Sequence, residues 1–279
     1  MLEIETKREG AELVSAKLDG IEKIHDGEHF WNRHAPILFP IVGKLKDGKT
    51  IIKGETYEMG QHGFARDMTF EQIGEHSYKL TSNEETMKKF PYSFELYVSY
   101  EVEDNSLKTI YEVVNTGDEP MPFGIGGHPA YRCEYCSGKY KLGFNQIEDE
   151  IEFYQLSDGL VNPVPCDKNR FMRENTIFLD RSTFKNDAII MKNLKSNRVF
   201  LKTDTNLILS FDFTGFKYLA IWSKEDANFI CIEPWFNTAD KTTSDGIFEN
   251  KEDILKLVPK ESFKAEYKVD FYNDFKVQR

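Results

Sequence analysis

The stretch SFELYVSYEV (93–102), its turn EDNS (103–106) and the return LKTIYEVVN (107–115) decide the fold. Phe94, Leu96, Val98, Tyr100 and Val102 fall on one face of an extended chain; Ser93, Glu95, Tyr97, Ser99 and Glu101 fall on the other. Side chains alternate faces along a strand, so the pattern predicts one apolar and one solvated face. A polar turn leading into a second strand-forming run predicts a long antiparallel hairpin. Its apolar face must be covered by another layer. Register follows from the same alternation, because a slip of one residue would turn the apolar set to water.

Working outward, FKAEYKVDFY (263–272) alternates Phe263, Ala265, Tyr267, Val269 and Phe271 against polar neighbours. Further strands are predicted at SYKLTS (77–82), RVFLKTD (198–204), LILSFDF (207–213), YLAIWS (218–223) and NFICIEPW (228–235). Turn residues lie between them at Asp26-Gly27, Asp47-Gly48, NTGDEPMP (115–122) and TDTN (203–206). One short helix is expected near SDGIFENKEDILKLV (244–258). Linkers and fixed-period repeats are lacking, so residues 1–279 are expected to form a single domain. Many alternating strands imply an all-β fold, a large antiparallel β-sandwich of two sheets.

Hydrophobic residues make up 40% and charged residues 30% of the chain, the balance of a packed globular protein rather than a disordered one. The formal charge of −11 repels phosphate backbones and anionic lipid, which argues against nucleic acid and membrane partners and for a neutral or locally steered small molecule. The beginning, MLEIETKREG, has no basic segment leading into an apolar one, so no secretory signal is expected. The apolar run APILFPIVG (35–43) is too short to span a bilayer. A cytoplasmic protein with reduced thiols at Cys133, Cys136, Cys166 and Cys231 is the expectation.

Several stretches carry candidate chemistry. CEYC (133–136) has half of a zinc spacing, but Cys166 and Cys231 do not supply the other half, so free thiols are expected and a structural metal is not. HDGEHFWNRH (25–34) offers His25, His29 and His34, but Asp26-Gly27 breaks helical spacing, so surface histidines beside a turn are expected. In QHGFARD (61–67), His62 precedes Gly63 and Arg66 adds a planar fork of donors; a surface loop closed by Arg66 and Asp67 is the bland alternative. In FICIEPW (229–235), Glu233 ends an apolar run. A buried carboxylate needs a partner or a shifted pKa, whereas an edge position would only need a salt bridge. Pro234 has no N–H for a ladder, so the strand is expected to stop there, with Trp235 as an apolar wall. In GIGGHPAY (124–131), His128 stands between glycines that permit close approach and Pro129, which stiffens the exit; on these residues alone a satisfied structural histidine is the default reading and a proton-transfer group the alternative.

Taken in order, PILFPIVGKL, HGFARD, NTGDEPMPFGIGGHPAY, YLAIWS and FICIEPW resemble the aldose 1-epimerase (galactose mutarotase-like) superfamily, in its bacterial aldose 1-epimerase-like branch. The resemblance runs from about Trp31 to the C-terminus. It implies a β-sandwich and a cofactor-independent isomerase acting on an aldohexose, either free or phosphorylated. In that family His128 matches the general acid and Glu233 the general base. His62 matches a substrate-binding histidine, Asp187 a hydroxyl-binding carboxylate, and Arg66 a position able to hold phosphate in hexose-phosphate relatives. Lys44 stands where relatives carry arginine, and an ammonium is a point charge rather than a clamp, which weakens the phosphate reading. Trp222 or Trp235 is expected along the sugar's C–H face. Mutual attraction is expected to keep His128 as imidazolium and Glu233 as carboxylate, with no metal or other cofactor. The alternative is a carbohydrate-binding or sensing protein that keeps the pocket without turnover.

Overall fold

The hairpin forms as its alternation demands. A computed structural model describes residues 1–273, and in it strand Phe94–Glu103 pairs with Ser106–Asn115 through a two-residue turn at Asp104 and Asn105. Phe94, Leu96, Val98 and Tyr100 are buried; Val102, next to the turn, is 40% exposed although its register partner Leu107 is buried, so only the first strand leaves the core before the tip. These strands lie in a ten-stranded antiparallel sheet, which also contains Ser262–Phe271, Leu207–Asp212, Arg198–Lys202 and Ser77–Thr81.

An eight-stranded sheet packs against it, with Phe229–Trp235 near its centre. Tyr218–Trp222 pairs with one side of that strand; Gly126–Gly127 and Ala130–Arg132 pair with the other. The aromatic core lies between the sheets, where Tyr131 of the smaller sheet meets Phe211 and Phe271 of the larger at 6.1 and 6.0 Å between ring centroids. Ile230 and Ile232 join this core, whereas Phe229, Cys231, Glu233 and Trp235 point to the opposite face. All seven residues of the strand are buried, so other structure covers its second face too.

Two expectations fail for identifiable reasons. Residues 244–258 form no α-helix; a 3₁₀ turn Phe248–Asn250 is followed by a short strand Leu255–Leu257 that pairs with Met121–Phe123. Tertiary partners override the local preference: Lys251 is buried against Asp240, and Asp253, at φ 56°, accepts from Lys192, Lys217 and Tyr218. The single α-helix among the described residues is Glu84–Met87, with Asn83 as its capping residue. The second failure is at Pro234, which does not end its strand. The N–H groups of Ile232 and Phe236 donate to Pro129 and Ile125, so Pro234 nitrogen faces the same side between them. There the chain bearing His128 crosses from one short strand to the next, and the ladder is already interrupted. The missing donor costs the sheet little at that place.

Candidate functional site

His128 is held on a mount that only small residues permit. A Cβ on Gly126 would stand 2.6 Å from Trp235 Cδ1, and one on Gly127 would stand 2.9 Å from the Tyr111 hydroxyl and 3.0 Å from Tyr267 Cε1. The glycines therefore let this segment lie directly on the Phe229–Trp235 strand and on the aromatic core. Backbone bonds fix it further: His128 N–H donates to Pro36 O at 3.1 Å, Ala130 N–H to His34 O at 2.8 Å, and His25 N–H to Ala130 O at 2.9 Å.

Glu233 reaches the same spot from the neighbouring strand. His128 Nε2 lies 3.2 Å from Glu233 Oε2. The two line a cavity of about 650 Å³ on the outer face of the eight-stranded sheet, together with His62, Arg66, Asp187, Trp222 and Trp235. The volume falls within the range of small-molecule sites. Of the candidates read from sequence, Lys44 alone does not line this cavity. It is exposed in an adjoining groove and donates to Asp158 O at 3.1 Å.

His62 adopts φ 68° in the loop before Gly63, and its ring meets the His128 ring edge-on at 5.4 Å. Gly43 N–H donates to its Nδ1 at 3.0 Å, which fixes a neutral tautomer with the proton on Nε2. Burial, reinforced by the His128, Arg66 and Arg33 charges, holds its pKa well below 6.5. Arg66 donates to Gln61 O at 2.7 Å, and its Nε is buried without a partner. Asp187 sits on an exposed loop at the rim, its carboxylate accepting from Ala188 N–H at 2.8 Å.

Protonation differs from expectation. Burial pushes the His128 imidazole down to about 3, with Arg66 and Arg33 adding to the effect. Burial, then the Asp187 charge, pushes Glu233 well above 4.5; the Trp235 indole N–H opposes this without making a well-formed hydrogen bond. Desolvation thus favours a neutral pair over the expected imidazolium and carboxylate. The two arrangements hold the same number of protons and differ by one transfer across 3.2 Å.

The residues missed from sequence are Trp31 and Arg33. Trp31 lies 4.9 Å from the His128 ring and 5.7 Å from Trp222, making an aromatic wall. It is carried by the turn-rich stretch 25–34, where His25, far from being a surface residue, is 2% exposed, packs on Phe229 at 4.3 Å and donates from Nε2 to Trp31 O at 2.8 Å. His29 is exposed as expected. A tryptophan beside Phe30 in an otherwise polar, turn-rich stretch was the available signal. Arg33 lines the cavity and donates to Asp67 Oδ1 at 2.7 Å, while Arg66 Nε approaches the other carboxylate oxygen at 3.9 Å, so the Arg66–Asp67 contact weighed from sequence is present and shared with Arg33. Cys133 and Cys136 are free thiols, one buried and one half-buried.

Six buried side-chain atoms of the lining make no protein hydrogen bond: Arg66 Nε, which only approaches Asp67 at 3.9 Å, His128 Nδ1, both Glu233 oxygens, of which Oε2 meets His128 Nε2, Trp235 Nε1 and Thr238 Oγ1. Unpaired buried polar groups are costly, and their concentration at one cavity suits a ligand rich in hydroxyls. Aromatic rings beside donors and acceptors suit a molecule with an apolar face and a polar edge. Among the described residues, no helix is long and apolar enough to cross a membrane.

Comparison with known proteins agrees with this geometry. The family model described as aldose 1-epimerase matches residues 2–249. The chromosomal protein LacX of Lactococcus lactis subsp. lactis is 32% identical over 98% of this chain and 97% of its own. A galactose mutarotase related enzyme from Lactobacillus acidophilus superimposes with a TM-score of 0.89 at 32% identity, covering 98% of this chain and 95% of that one. A galactose mutarotase-like protein from Lactobacillus casei gives 0.90 at 28% identity, covering 97% of both.

Proposed function

This chain belongs to the aldose 1-epimerase family, and on that premise we propose that it interconverts the α and β anomers of an aldohexose or a hexose derivative by acid–base ring opening and reclosure. The observation that carries the reading is the contact of His128 with Glu233, 3.2 Å apart and facing a sugar-sized cavity. In a cyclic aldose the hydroxyl that must lose a proton and the ring oxygen that must gain one are both bonded to C1. The acid and the base must therefore stand side by side, not at opposite ends of the substrate.

The reactive form is the tautomer with the shared proton on His128. Glu233 carboxylate takes the proton from the C1 hydroxyl while His128 imidazolium protonates the ring oxygen. The bond between C1 and the ring oxygen breaks, and C1 becomes an aldehyde. After rotation about C1–C2, the ring oxygen attacks the other face of the carbonyl, and both protons return. His62 Nε2–H, Arg66 and Asp187 hold hydroxyls during rotation, and Trp31 or Trp222 lies along the C–H face. Each placed proton transfer contributes about 10²–10⁴-fold.

Anomer exchange followed by NMR tests the reading, with glucose, galactose and their 6-phosphates as substrates. His128→Ala and Glu233→Gln are each expected to lower kcat by about 10²–10⁴-fold while the fold is kept. Sugar binding with no acceleration by the wild type would replace the enzyme with a sugar-binding protein. Lys44 is outside the cavity, so recognition of a 6-phosphate falls to the cations that line it, Arg33, Arg66 and Lys224. Equal KM for a hexose and its 6-phosphate would remove that refinement.

A further inference from the structure

Cys231 has no part in ring opening, yet its thiol lies beside the groups that do. Cys231 and Glu233 are two apart on one strand and share its outer face, and Ala130, two residues after His128, is the register partner of Cys231. One ligand atom each from His128, Cys231 and Glu233 lies within 4.8 Å of the other two. Both Glu233 oxygens are buried without a hydrogen bond, Oε2 meeting only the His128 ring at 3.2 Å, and the thiol is free and fully buried.

We propose that His128, Cys231 and Glu233 form a binding site for a thiophilic divalent cation of the zinc class, and that the bound ion excludes the sugar reaction. Nitrogen, sulfur and oxygen donors are the set that zinc accepts, and three protein ligands leave a fourth position open toward the cavity. Zinc bond lengths of about 2.0–2.3 Å set tetrahedral edges of roughly 3.3–3.8 Å, so a separation at the 4.8 Å limit must close by about an ångström, whereas His128 and Glu233 already stand at 3.2 Å. On binding, the thiol and the His128–Glu233 pair each release one proton to solvent. The resulting thiolate and carboxylate balance the dication, and Asp187 helps at the rim while Arg33 and Arg66 oppose it. Epimerase chemistry and metal binding compete because they use the same imidazole and carboxylate. The inhibition rests on the function proposed above; the metal site itself does not.

Metal-free protein titrated with Co²⁺ tests the site directly. A near-ultraviolet thiolate-to-cobalt absorption is expected, abolished by one equivalent of zinc. Cys231→Ser and Cys231→Ala are expected to lose the band and to weaken zinc binding, measured against a chromophoric chelator, by more than about 10-fold, the low end for losing even an outer partner of a ligand. Cys136→Ser, at the half-exposed alternative thiol, is expected to change neither. Zinc is expected to stop anomer exchange by the wild type but not by Cys231→Ser, which retains basal activity. A cobalt band that survives in both Cys231 variants, or no zinc uptake by an active wild type, overturns the site. Zinc uptake through Cys231 by a protein that never accelerates exchange spares the site and sinks the proposed function.

Discussion

Gly127 shows how much of the site depends on one missing methyl group. Its neighbours, Tyr111 and Tyr267, are buried in the core between the sheets and have little room to retreat. Gly127→Ala is expected to cost about 1–3 kcal/mol, as overpacking does. The loss of anomer exchange should exceed what the fall in melting temperature accounts for, because His128 moves with the backbone. The His128–Glu233 pair also dictates a pH profile. Exchange needs one proton on the pair; a second proton makes the base unavailable, and removal of the first leaves no acid. Burial lowers His128 from 6.5 and raises Glu233 from 4.5, so the acid limb should lie well below 6.5 and the alkaline limb well above 4.5. An acid limb near 4.5 and an alkaline limb near 6.5 would show instead that both groups titrate at their ordinary values. At this scale sequence reading had named His128 and Glu233, but their protonation was not legible, since it follows from burial by residues remote in the chain.

Away from the cavity, elements are joined by ion pairs that local propensity does not encode. Asp253 accepts from Lys217, Tyr218 and Lys192, binding a connecting segment to strands Ile189–Lys192 and Tyr218–Trp222. Burial works to raise its pKa, but these three donors outweigh it and hold the carboxyl below 3.8. A depressed carboxylate gives stability that is complete above its unfolded value and is lost as pH falls through its folded one. Asp253→Asn is therefore expected to cost about 1–2 kcal/mol near neutrality, allowing for solvent screening. The gap should shrink as pH falls below 3.8, read by denaturant unfolding at several pH values. A gap independent of pH would assign the effect to packing. The same contacts explain why a helix read over 244–258 is absent, while Phe94–Glu103 and Ser262–Phe271 formed as their alternation required.

Across the whole molecule, stability is shared through the aromatic layer. Phe211 is fully buried, stacked on Tyr267 at 5.3 Å and facing Tyr131 of the other sheet. Phe211→Ala is expected to cost about 3–5 kcal/mol. Near- and far-ultraviolet circular dichroism should shift to the same lower melting temperature, as one core joining both sheets requires; separate transitions would divide the chain into independent units. The sequence by itself determined the all-β class and the register of the long strands, because period-two alternation is a local property of the chain. Glycine- and proline-marked segments drew attention to His128 and Glu233, but only the resemblance to the aldose 1-epimerase superfamily paired them as acid and base. Tertiary structure alone decided that Pro234 stays within its strand, that His25 is buried and supports Trp31, that Arg33 joins the cavity while Lys44 does not, and that Cys231 lies against the reactive pair. Those outcomes depend on which segment covers the outer face of the smaller sheet, and burial of that kind is set by residues brought together from distant parts of the chain.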